Sequence, residues 1–348
     1  MKKFLKILII ILNVLAAIAL LISSLAGLVK PSANIFVSLA SYGYLFLLFI
    51  NVLFAVFWLC LKSRWFILSL AVILLRFNLI HRYIQLGGTE DVEVVSEEDI
   101  KLLSFNVNIF KWSDSASHNT LDIVRTEKPD VICFQEFFTN LPYPILDTME
   151  ALGYSDMHNF MKTSKGVYGC TTFSRYKMIK KDKVGGTRTI FTDIVKGSDT
   201  IRIYNVHLDS YHLDETDEAE IDKMSHGKVD TVTSRRTMRK FKTTLLKHEN
   251  EVALLESHIE QCPYPSLLCG DFNDPPASYA YGRLIKHYSD AFCKKGHGFG
   301  STYNGDFPAF RIDYILFDKH FKALSYKRIK SDISDHYPII ATMQKKQD

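Results

Sequence analysis

The fold of this chain is indicated most clearly by LLCGDFND at residues 267–274. Four uncharged residues lead directly into Asp271, and the polar residues Asn273 and Asp274 follow within three positions. Apolar runs of this kind are typical of strands covered on both faces of a sheet, and polar residues directly after them lie at the sheet edge. The stretch therefore favours a layered α/β domain with polar side chains gathered along one edge.

The same pattern recurs at other strand-like runs in the chain. Five further segments place polar residues at the end or start of an apolar run: SFNV at 104–107, QE at 135–136, NVHLDS at 205–210, RIDYI at 311–315 and SDHYPI at 334–339. Any one of them alone is more often an ordinary surface group or turn. Together they predict a cleft of carboxylates, amides and histidines that binds a hard metal ion and a phosphate.

Secondary structure can be predicted around these segments. We expect strands at 100–107, 130–135, 167–174, 188–195, 201–208, 266–269, 312–317 and 337–343. The spacing of apolar residues predicts helices near 118–127, 143–152 and 234–261. The alternation indicates two sheets packed together with helices outside.

The first 86 residues differ in composition from the rest, because they contain almost no acidic residue. Two apolar runs, at 4–29 and 35–61, each exceed the roughly 20 residues that cross a bilayer. A third run at 65–80 is shorter and contains Arg76, which is tolerated only near the end of a span. The chain thus begins with two or three transmembrane helices.

The predicted organisation has three parts. Residues 1–86 form the transmembrane region, residues 87–99 a polar and acidic linker, and residues 100–348 a globular domain. An insertion at 211–233 is charged and weakly periodic, and it is either a solvated loop or a lid.

The orientation in the membrane follows from the positive charges. Lys2, Lys3 and Lys6 precede the first span, and Lys62 and Arg64 follow the second. The positive-inside rule places both groups in the cytoplasm. With three spans the globular domain lies outside, and with two it is cytoplasmic. We expect the extracytoplasmic arrangement.

The six polar segments, in this order, resemble the endonuclease/exonuclease/phosphatase superfamily, the deoxyribonuclease I-like proteins. The resemblance covers about residues 100–345, and its most specific signals are GDFN and SDHYP. The pieces SYAYGRL, GSTYNG and RIDYIL also resemble a branch of membrane-anchored bacterial members. The resemblance implies a two-sheet α/β sandwich behind N-terminal transmembrane helices, in the bacterial inner (cytoplasmic) membrane. It also implies hydrolysis of phosphodiester or phosphomonoester bonds with a divalent metal ion.

The resemblance assigns the metal ligands. Glu136 matches the main carboxylate that holds Mg²⁺ or Mn²⁺, with Asn106 and Asp335 as its neighbours. Many family members carry an acid or an arginine where this chain has Asn108. That departure puts a second metal site, or a charged contact there, in doubt.

It also implies catalytic roles. His336 matches the histidine that activates water or contacts the phosphate, and Asp313 would orient it. Asp271 and Asn273 match the pair that positions the attacking water, and His207 matches a second histidine near the leaving group. A carboxylate–histidine unit can activate water while a metal neutralises the phosphoryl oxygens.

Substrate contacts are assigned to Asn106, Asn205 and Arg188, and Arg175 is a further candidate. For either arginine, an ordinary surface position is as good an explanation. No obligate protein partner is inferred; the bilayer and the phosphodiester substrate are the expected partners.

Three functions remain open at this point. The first is hydrolysis of a lipid or another phosphodiester near the membrane, suggested by the tether. The second is a nuclease, for which basic residues at 228–242 could supply a groove, although a solvated helix face explains them as well. The third is a non-catalytic membrane adaptor that retains the fold. The net charge of +4 is too small to favour nucleic acid.

Overall fold

The computed structural model describes residues 3–87, 96, 98–111, 115–138, 145–161, 168–212, 216–217, 231–305 and 310–346, with the side chains of residues 161, 231 and 232 left aside. Most of the predicted linker at 87–99 and most of the predicted insertion at 211–233 lie outside the described residues. The division of the chain into three parts therefore stays a prediction.

The amino-terminal part is a bundle of helices. They are α1 (Lys3–Leu25), α2 (Ile35–Ala40), α3 (Tyr44–Cys60), α4 (Phe66–Leu75) and α5 (Phe77–Ile80). Many large apolar side chains of α1, α3 and α4 are exposed. Two stretches, Lys3–Leu28 and Ile35–Cys60, are long and apolar enough to cross a membrane by length and composition.

Polar side chains inside this bundle join its helices. Asn13 of α1 donates a hydrogen bond to Ser69 Oγ of α4 at 2.6 Å and accepts one from Trp58 Nε1 of α3 at 3.0 Å. Asn51 of α3 donates to the carbonyl oxygen of Ala16 at 3.0 Å. Because buried polar groups are costly without partners, these bonds hold α1 in a defined position against α3 and α4.

The rest of the described chain consists of short strands with a few helices. The strands are β1 (Ile84–Gln85), β2 (Ile100–Asn106), β3 (Val131–Phe137), β4 (Asp156–Met161), β5 (Gly169–Ser174), β6 (Met178–Lys183), β7 (Ile190–Lys196), β8 (Asp199–His207), β9 (Ser266–Asp271), β10 (Ser289–Asp290), β11 (Gly298–Phe299), β12 (Asp313–Phe317), β13 (Phe321–Arg328) and β14 (Ile339–Lys345). The helices are α6 (Ala116–Glu127), α7 (Ile145–Ala151), α8 (Thr231–Glu260), α9 (Tyr279–Leu284) and α10 (Ala291–Lys295).

Within the described residues, twelve of these strands form two six-stranded sheets, and β1 pairs with β11 separately. The first has the order β13-β14-β2-β3-β5-β4, and the second has the order β10-β12-β9-β8-β7-β6. The central pairs β2–β3 and β8–β9 are parallel, and the other neighbours are antiparallel. Since parallel strands end at the same edge, the polar residues after them are brought together in each sheet.

The two sheets pack face to face with helices on the outside. Leu102 of the first sheet and Leu267 of the second belong to one buried cluster between the sheets. Leu121 of α6 packs on the outer face of the first sheet, and Leu255 of α8 packs on that of the second. This arrangement confirms the predicted two-sheet α/β sandwich.

The eight predicted strands all occur, with small shifts at their ends, but three longer strands were not predicted. These are β4, β6 and β13, and each lies at the edge of its sheet. Edge strands bury one face at most and carry more polar residues, as β6 does with one buried and five exposed side chains. Their sequences therefore lack the apolar runs on which the prediction depended.

The segment between α1 and α3 is docked on the globular part. A Cβ atom added at Gly282 of α9 would lie 2.5 Å from the carbonyl oxygen of Gly27, so the two backbones are in close contact. Ser32 bonds to the carboxylate of Glu249 in α8 through its amide at 2.8 Å and its hydroxyl at 2.7 Å. The hydrogen bonds and the backbone contact fix this segment beside α8 and α9.

The chain after α5 is docked on the same globular part. The hydroxyl group of Tyr83 accepts a hydrogen bond from the Ala277 amide at 3.1 Å. The backbone carbonyl oxygen of Tyr83 accepts one from the Gly300 amide at 2.8 Å. Arg311 donates to the carbonyl oxygen of Arg82 at 2.9 Å. Both ends of the α3–α5 segment therefore lie at one side of the helix bundle.

Candidate active site

The predicted site residues converge where the central strands end. Asn106 is the last residue of β2, and Glu136 lies near the end of β3 in the same sheet. In the second sheet, Asp271 ends β9 and is paired with His207 of β8 on one side and with Asp313 of β12 on the other. The edges of the two sheets meet here, because Asn106 Nδ2 donates to Asp271 Oδ2 at 3.0 Å.

Two backbone features shape this edge. The β3–β5 pairing is irregular between Phe134 and Phe137, and Glu136 has a φ of 51°. A left-handed residue in a bulge re-aims its side chain, and the Glu136 side chain faces the cavity described below. Gly270 has a φ of 149°, and a Cβ atom there would lie 1.9 Å from the Val206 carbonyl oxygen, so only glycine fits before Asp271.

His336 and Asp313 form a buried pair. His336 Nδ1 lies 3.1 Å and 2.9 Å from the two carboxylate oxygens of Asp313. This contact fixes the ring, and its Nε2 atom then lies 3.7 Å from Asp271 Oδ2. The hydroxyl group of Ser334 accepts from the His336 amide at 3.2 Å and donates to the Asn106 carbonyl oxygen at 2.8 Å. The loop before β14 is thereby tied to the end of β2.

Asp271 is held by neighbouring amides. Its Oδ1 atom accepts the backbone N–H of Asn273 at 2.8 Å, and its Oδ2 atom accepts the side-chain amide of Asn273 at 3.3 Å. Asn273 has a φ of 52° and also donates to the carbonyl oxygen of Leu208 at 3.1 Å. Asp271 is only 1% exposed, so these donors stand in for the water that a free carboxylate would bind.

The pKa values of Asp271 and His336 depend on burial and on the charges of their neighbours. Burial raises the pKa of Asp271 to about 7; Asp313 adds to this, while His336 and the Asn106 hydrogen bond oppose it. Burial by itself would lower the pKa of His336, but the Asp313 and Asp271 carboxylates raise it well above its usual range. The site therefore retains a proton near neutral pH.

His207 lies at the same edge. Its Nε2 atom is 3.7 Å from Glu136 Oε1 and 4.0 Å from Asp271 Oδ2. The ring is buried, and it lines a small neighbouring cavity with Cys170 and Arg188 instead of the main one.

The site has an excess of acid that suits a divalent cation. Glu136, Asp271 and Asp335 line one cavity with His336, and Asn106 contributes an amide oxygen. Oxygen ligands of this kind are preferred by Mg²⁺ and Mn²⁺, so the residues present fit such an ion. Ligand atoms of Asp271, Asp313 and His336 also lie within 4.8 Å of one another. In that trio the imidazole already compensates Asp313, which makes it the less suitable position.

The cavity has a volume of about 730 Å³. Its polar floor contains the predicted residues Asn106, Glu136, Asp271, Asn273, Asp335 and His336. Its remaining lining includes Leu39 and Tyr42 from the amino-terminal part of the chain. Neither residue was predicted, because an apolar run gives no signal that separates one position from the next.

The two arginines predicted to contact the substrate both interact with other side chains of the protein. Arg188 lines the cavity, but its guanidinium group forms an ion pair with Asp209. Arg175 does not line the cavity, and it lies over the ring of Tyr154 at 5.0 Å. Its assignment as a phosphate contact is therefore corrected to a packing role.

The predicted role of Asn205 as a substrate contact is also corrected. The side chain is 0% exposed and joins the two sheets instead of facing the cavity. Its Nδ2 atom donates to the carbonyl oxygens of Phe134 and Thr171, both at 3.1 Å, and its Oδ1 atom accepts from Gln135 Nε2 at 2.8 Å. Because these partners already bond the amide on both sides, it has no path to a substrate.

Comparison with solved structures places the fold. An endonuclease/exonuclease/phosphatase from Bacteroides vulgatus aligns with 71% of this chain and 99% of its own, at 15% identity and a TM-score of 0.51. The human Nocturnin catalytic domain with bound sulfate anion aligns with 74% of this chain and 97% of its own, at 15% identity and a TM-score of 0.50. D. rerio TDP2 complexed with single strand DNA product aligns with 71% and 99%, at 15% identity and a TM-score of 0.50. At this identity, the likeness shows the fold alone.

Comparison with family models and curated sequences completes the assignment. No curated protein matches the sequence. A model for a domain of unknown function matches residues 5–83, and the model of the endonuclease/exonuclease/phosphatase family matches residues 103–336, more than half of the chain. The residues that converge at the sheet edges lie within the match at 103–336. The chain belongs to the endonuclease/exonuclease/phosphatase family.

Proposed function

We propose that this protein is a membrane-anchored, divalent-metal-dependent hydrolase of phosphoester bonds. Enzymes of this family generally use divalent metal ions. The observation that carries the proposal is the single cavity in which Glu136, Asp271 and His336 face one another, with Asp313 buried behind the histidine. Buried acids and histidines with shifted pKa values that face one cavity are typical of functional sites.

Glu136, Asn106 and Asp335 would hold the Mg²⁺ or Mn²⁺ ion. When bound, the ion supplies positive charge that neutralises the phosphoryl oxygens. The protein contributes pre-positioned oxygen donors, since the Ser334 hydroxyl group donates to the Asn106 carbonyl oxygen at 2.8 Å and so holds the neighbouring Asp335 at the end of β2. Donors that are already in place need no reorganisation during the reaction.

Proton transfer is assigned to Asp271 and His336. Asp271, held by Asn106 and Asn273, would position the attacking water, and His336 Nε2 would exchange a proton with the water or a phosphoryl oxygen. The Asp313 carboxylate keeps the proton on Nδ1, so Nε2 faces the cavity as the reactive atom. A contact with the leaving group is assigned to His207, whose Nε2 atom lies 3.7 Å from Glu136 Oε1.

Membrane anchoring is proposed with three crossings. The segment at 26–43 and the segment at 82–85 both contact the globular part, so both must lie on its side of the membrane. Helices α1 and α3 alone would leave residue 61 on the opposite side. Helices α4 and α5 would therefore carry the chain back, with Arg76 near the far end of that short crossing.

The positive charges then suggest the compartment. Lys3, Lys6, Lys62 and Arg64 lie at the end of the bundle opposite the globular part. The positive-inside rule favours the cytoplasm for these residues, which puts the globular part outside the bacterial inner membrane.

The alternatives have less support. Of the basic residues at 228–242, Arg236 and Lys240 pair with Asp217, and no described basic residue of this group lines the cavity. A nuclease groove of unpaired cations is therefore not supported by the described residues. A non-catalytic adaptor does not account for the converged acids and histidines.

A substrate panel with purified full-length protein in detergent tests the proposal. A small phosphodiester, methyl 4-nitrophenyl phosphate, should be hydrolysed with added Mg²⁺ or Mn²⁺ and not after treatment with a chelator. Absence of turnover on this ester, on single-stranded DNA, on RNA and on lipid vesicles, at every metal concentration, would overturn it.

A further inference from the structure

The cavity has walls of a different character from its floor. Four aromatic side chains pack together in its lining: Tyr42, Tyr211, Phe241 and Phe310, which we call the aromatic wall. The ring of Tyr42 lies 5.8 to 5.9 Å, between centroids, from each of the other three rings. The centroids of Tyr211 and Phe241 lie 4.7 Å apart. The cavity volume of about 730 Å³ is far larger than a phosphate group requires. The space along this wall is shaped for an apolar group attached to the phosphate.

The amino-terminal part supplies one side of this wall. Tyr42 and Tyr211 both donate hydrogen bonds to Asp274, the one from Tyr211 at 2.9 Å, and their hydroxyl oxygens lie against each other. Leu39, one turn earlier in α2, lines the same cavity. The catalytic pocket is therefore completed by residues outside the family's own domain, which begins at residue 103 in the matched region.

This side of the wall is continuous with the proposed membrane region. Tyr42 precedes the first residue of α3 by two positions, and both lie in Ile35–Cys60, the second apolar stretch long enough to cross a bilayer. Phe36, on the same short helix as Leu39, is 75% exposed. An exposed aromatic residue next to an apolar helix suits the interface between headgroups and acyl chains. The wall therefore begins at the level of the bilayer surface.

We propose that the substrate is an amphiphile of the membrane, a lipid phosphoester whose apolar part lies against the aromatic wall and Leu39. This inference rests on the proposed hydrolytic function. The phosphate would reach the floor between Glu136 and His336, where water adds its oxygen to phosphorus and one ester P–O bond breaks. The leaving oxygen takes a proton, and the other product keeps the phosphate.

A nucleic acid strand suits this cavity less well. An extended phosphate backbone is held by a track of several cations, whereas the described lining has two basic residues, Lys111 and Arg188, and Arg188 is paired with Asp209. The aromatic wall could stack on bases, so nucleic acid is an outcome that the test must separate. A lipid accounts for the rings and for the neighbouring apolar helix together.

The test compares two substitutions on the same short helix in full-length protein reconstituted in nanodiscs. Leu39→Trp fills the cavity beside the wall, and Val37→Trp is the control because Val37 does not line the cavity. Each variant is assayed with Mg²⁺ on methyl 4-nitrophenyl phosphate, on vesicles of a total bacterial lipid extract with products identified by mass spectrometry, and on single-stranded DNA. Phe241→Ala is a second variant, and thermal unfolding checks that each protein is folded.

Leu39→Trp should lower kcat/KM on the lipid by about tenfold or more and lower it by a smaller factor on the small ester, which does not occupy the space along the wall. Val37→Trp should match the wild type on both. In addition, a phospholipid with a diazirine in its acyl chain should crosslink to α8 in an inactive Glu136→Gln protein, and Leu39→Trp should reduce that crosslink.

The outcomes are distinguishable. Turnover of the small ester without turnover of any lipid, or lipid turnover that Leu39→Trp and Phe241→Ala leave unchanged, overturns the inference while the hydrolytic function stands. DNA cleavage that exceeds lipid turnover overturns it in favour of a nuclease. No turnover of any substrate overturns the hydrolytic function itself.

Discussion

The hydroxyl group of Tyr42 is hydrogen-bonded to the carboxylate of Asp274, a residue 232 positions later in the chain. Asp274 follows Asp271 by three residues, and its Oδ2 atom lies 3.1 Å from Nδ1 of the buried His248. The amino-terminal part therefore contacts the loop that carries the proposed water-positioning residues. A change in how that part docks is expected to alter the cavity wall and leave the strands of the sandwich in place.

Glu136→Gln should abolish hydrolysis and weaken metal binding, because the amide has no charge with which to hold a divalent cation. The expected loss is about a hundredfold or more in kcat. Turnover of the small ester, together with Mn²⁺ binding by calorimetry, measures both effects. Glu260→Gln at the exposed end of α8 is the matched control and should behave as wild type. A Glu136→Gln protein with wild-type rates would refute the metal assignment.

His336→Ala should lower activity by about a hundred- to ten-thousandfold, since it removes the group that exchanges a proton in the cavity. Asp313→Asn should produce a loss of similar direction, because an amide no longer keeps the proton on Nδ1 of His336. His320, paired with Asp318 at 3.1 Å on the surface, supplies the control His320→Ala. The readout is the pH profile of kcat on the small ester; unchanged profiles in both site variants would contradict the assigned roles.

Gly282→Ala should loosen the docking of the amino-terminal part. Alanine favours a helix, but its Cβ atom would lie 2.5 Å from the Gly27 carbonyl oxygen, so one backbone must move. The expected cost is about 1–3 kcal/mol in the free energy of unfolding. Gly185→Ala is the control, because no atom lies within 4 Å of its added Cβ. Thermal unfolding in detergent compares the two, and equal transition temperatures would show that the contact is not tight.

Stability should fall as the pH rises through the range in which His248 loses its proton. Burial lowers the pKa of His248, but the facing Asp274 and the Asp209 carbonyl oxygen raise it more, to about 9. A histidine whose pKa is higher in the folded state contributes its full stabilisation below about pH 6.5 and loses it between about pH 6.5 and 9. The contribution is at most about 3 kcal/mol.

His248→Gln should flatten this pH dependence, whereas His297→Gln at an exposed position should keep it. Thermal unfolding of the full-length protein at pH 6 and pH 9.5 measures the difference. A wild-type protein that is as stable at pH 9.5 as at pH 6 would show that His248 is neutral in the folded state.

Membrane sidedness can be tested with an impermeant maleimide in a protein whose exposed Cys60 is replaced by serine. Three crossings predict that Ala33→Cys is labelled in intact spheroplasts and that Ser63→Cys is labelled only after permeabilisation. Protease added outside should cut the globular part of the same preparation. Labelling of Ser63→Cys from outside would reject this topology.

Much of the architecture could be predicted from the sequence because its signals are local. The apolar runs ending in Asn106, Glu136 and Asp271 indicate buried strands with polar ends, and two such parallel strands in a sheet necessarily end at one edge. The edge strands β4, β6 and β13 were missed because half-exposed strands carry polar residues. Asn205 was assigned to the substrate because its neighbours in sequence face the site, although its own side chain faces the other sheet.

The sequence by itself determined the sandwich, its polar motifs and the apolar helices, since each motif or helix depends on residues that are close together in the chain. Only the tertiary structure decided that Leu39 and Tyr42 line the cavity and that Tyr42 is hydrogen-bonded to Asp274. These contacts join residues that are far apart in sequence, so they depend on how the helices and sheets pack. Within an apolar run, every position has the same character until packing gives one of them a partner.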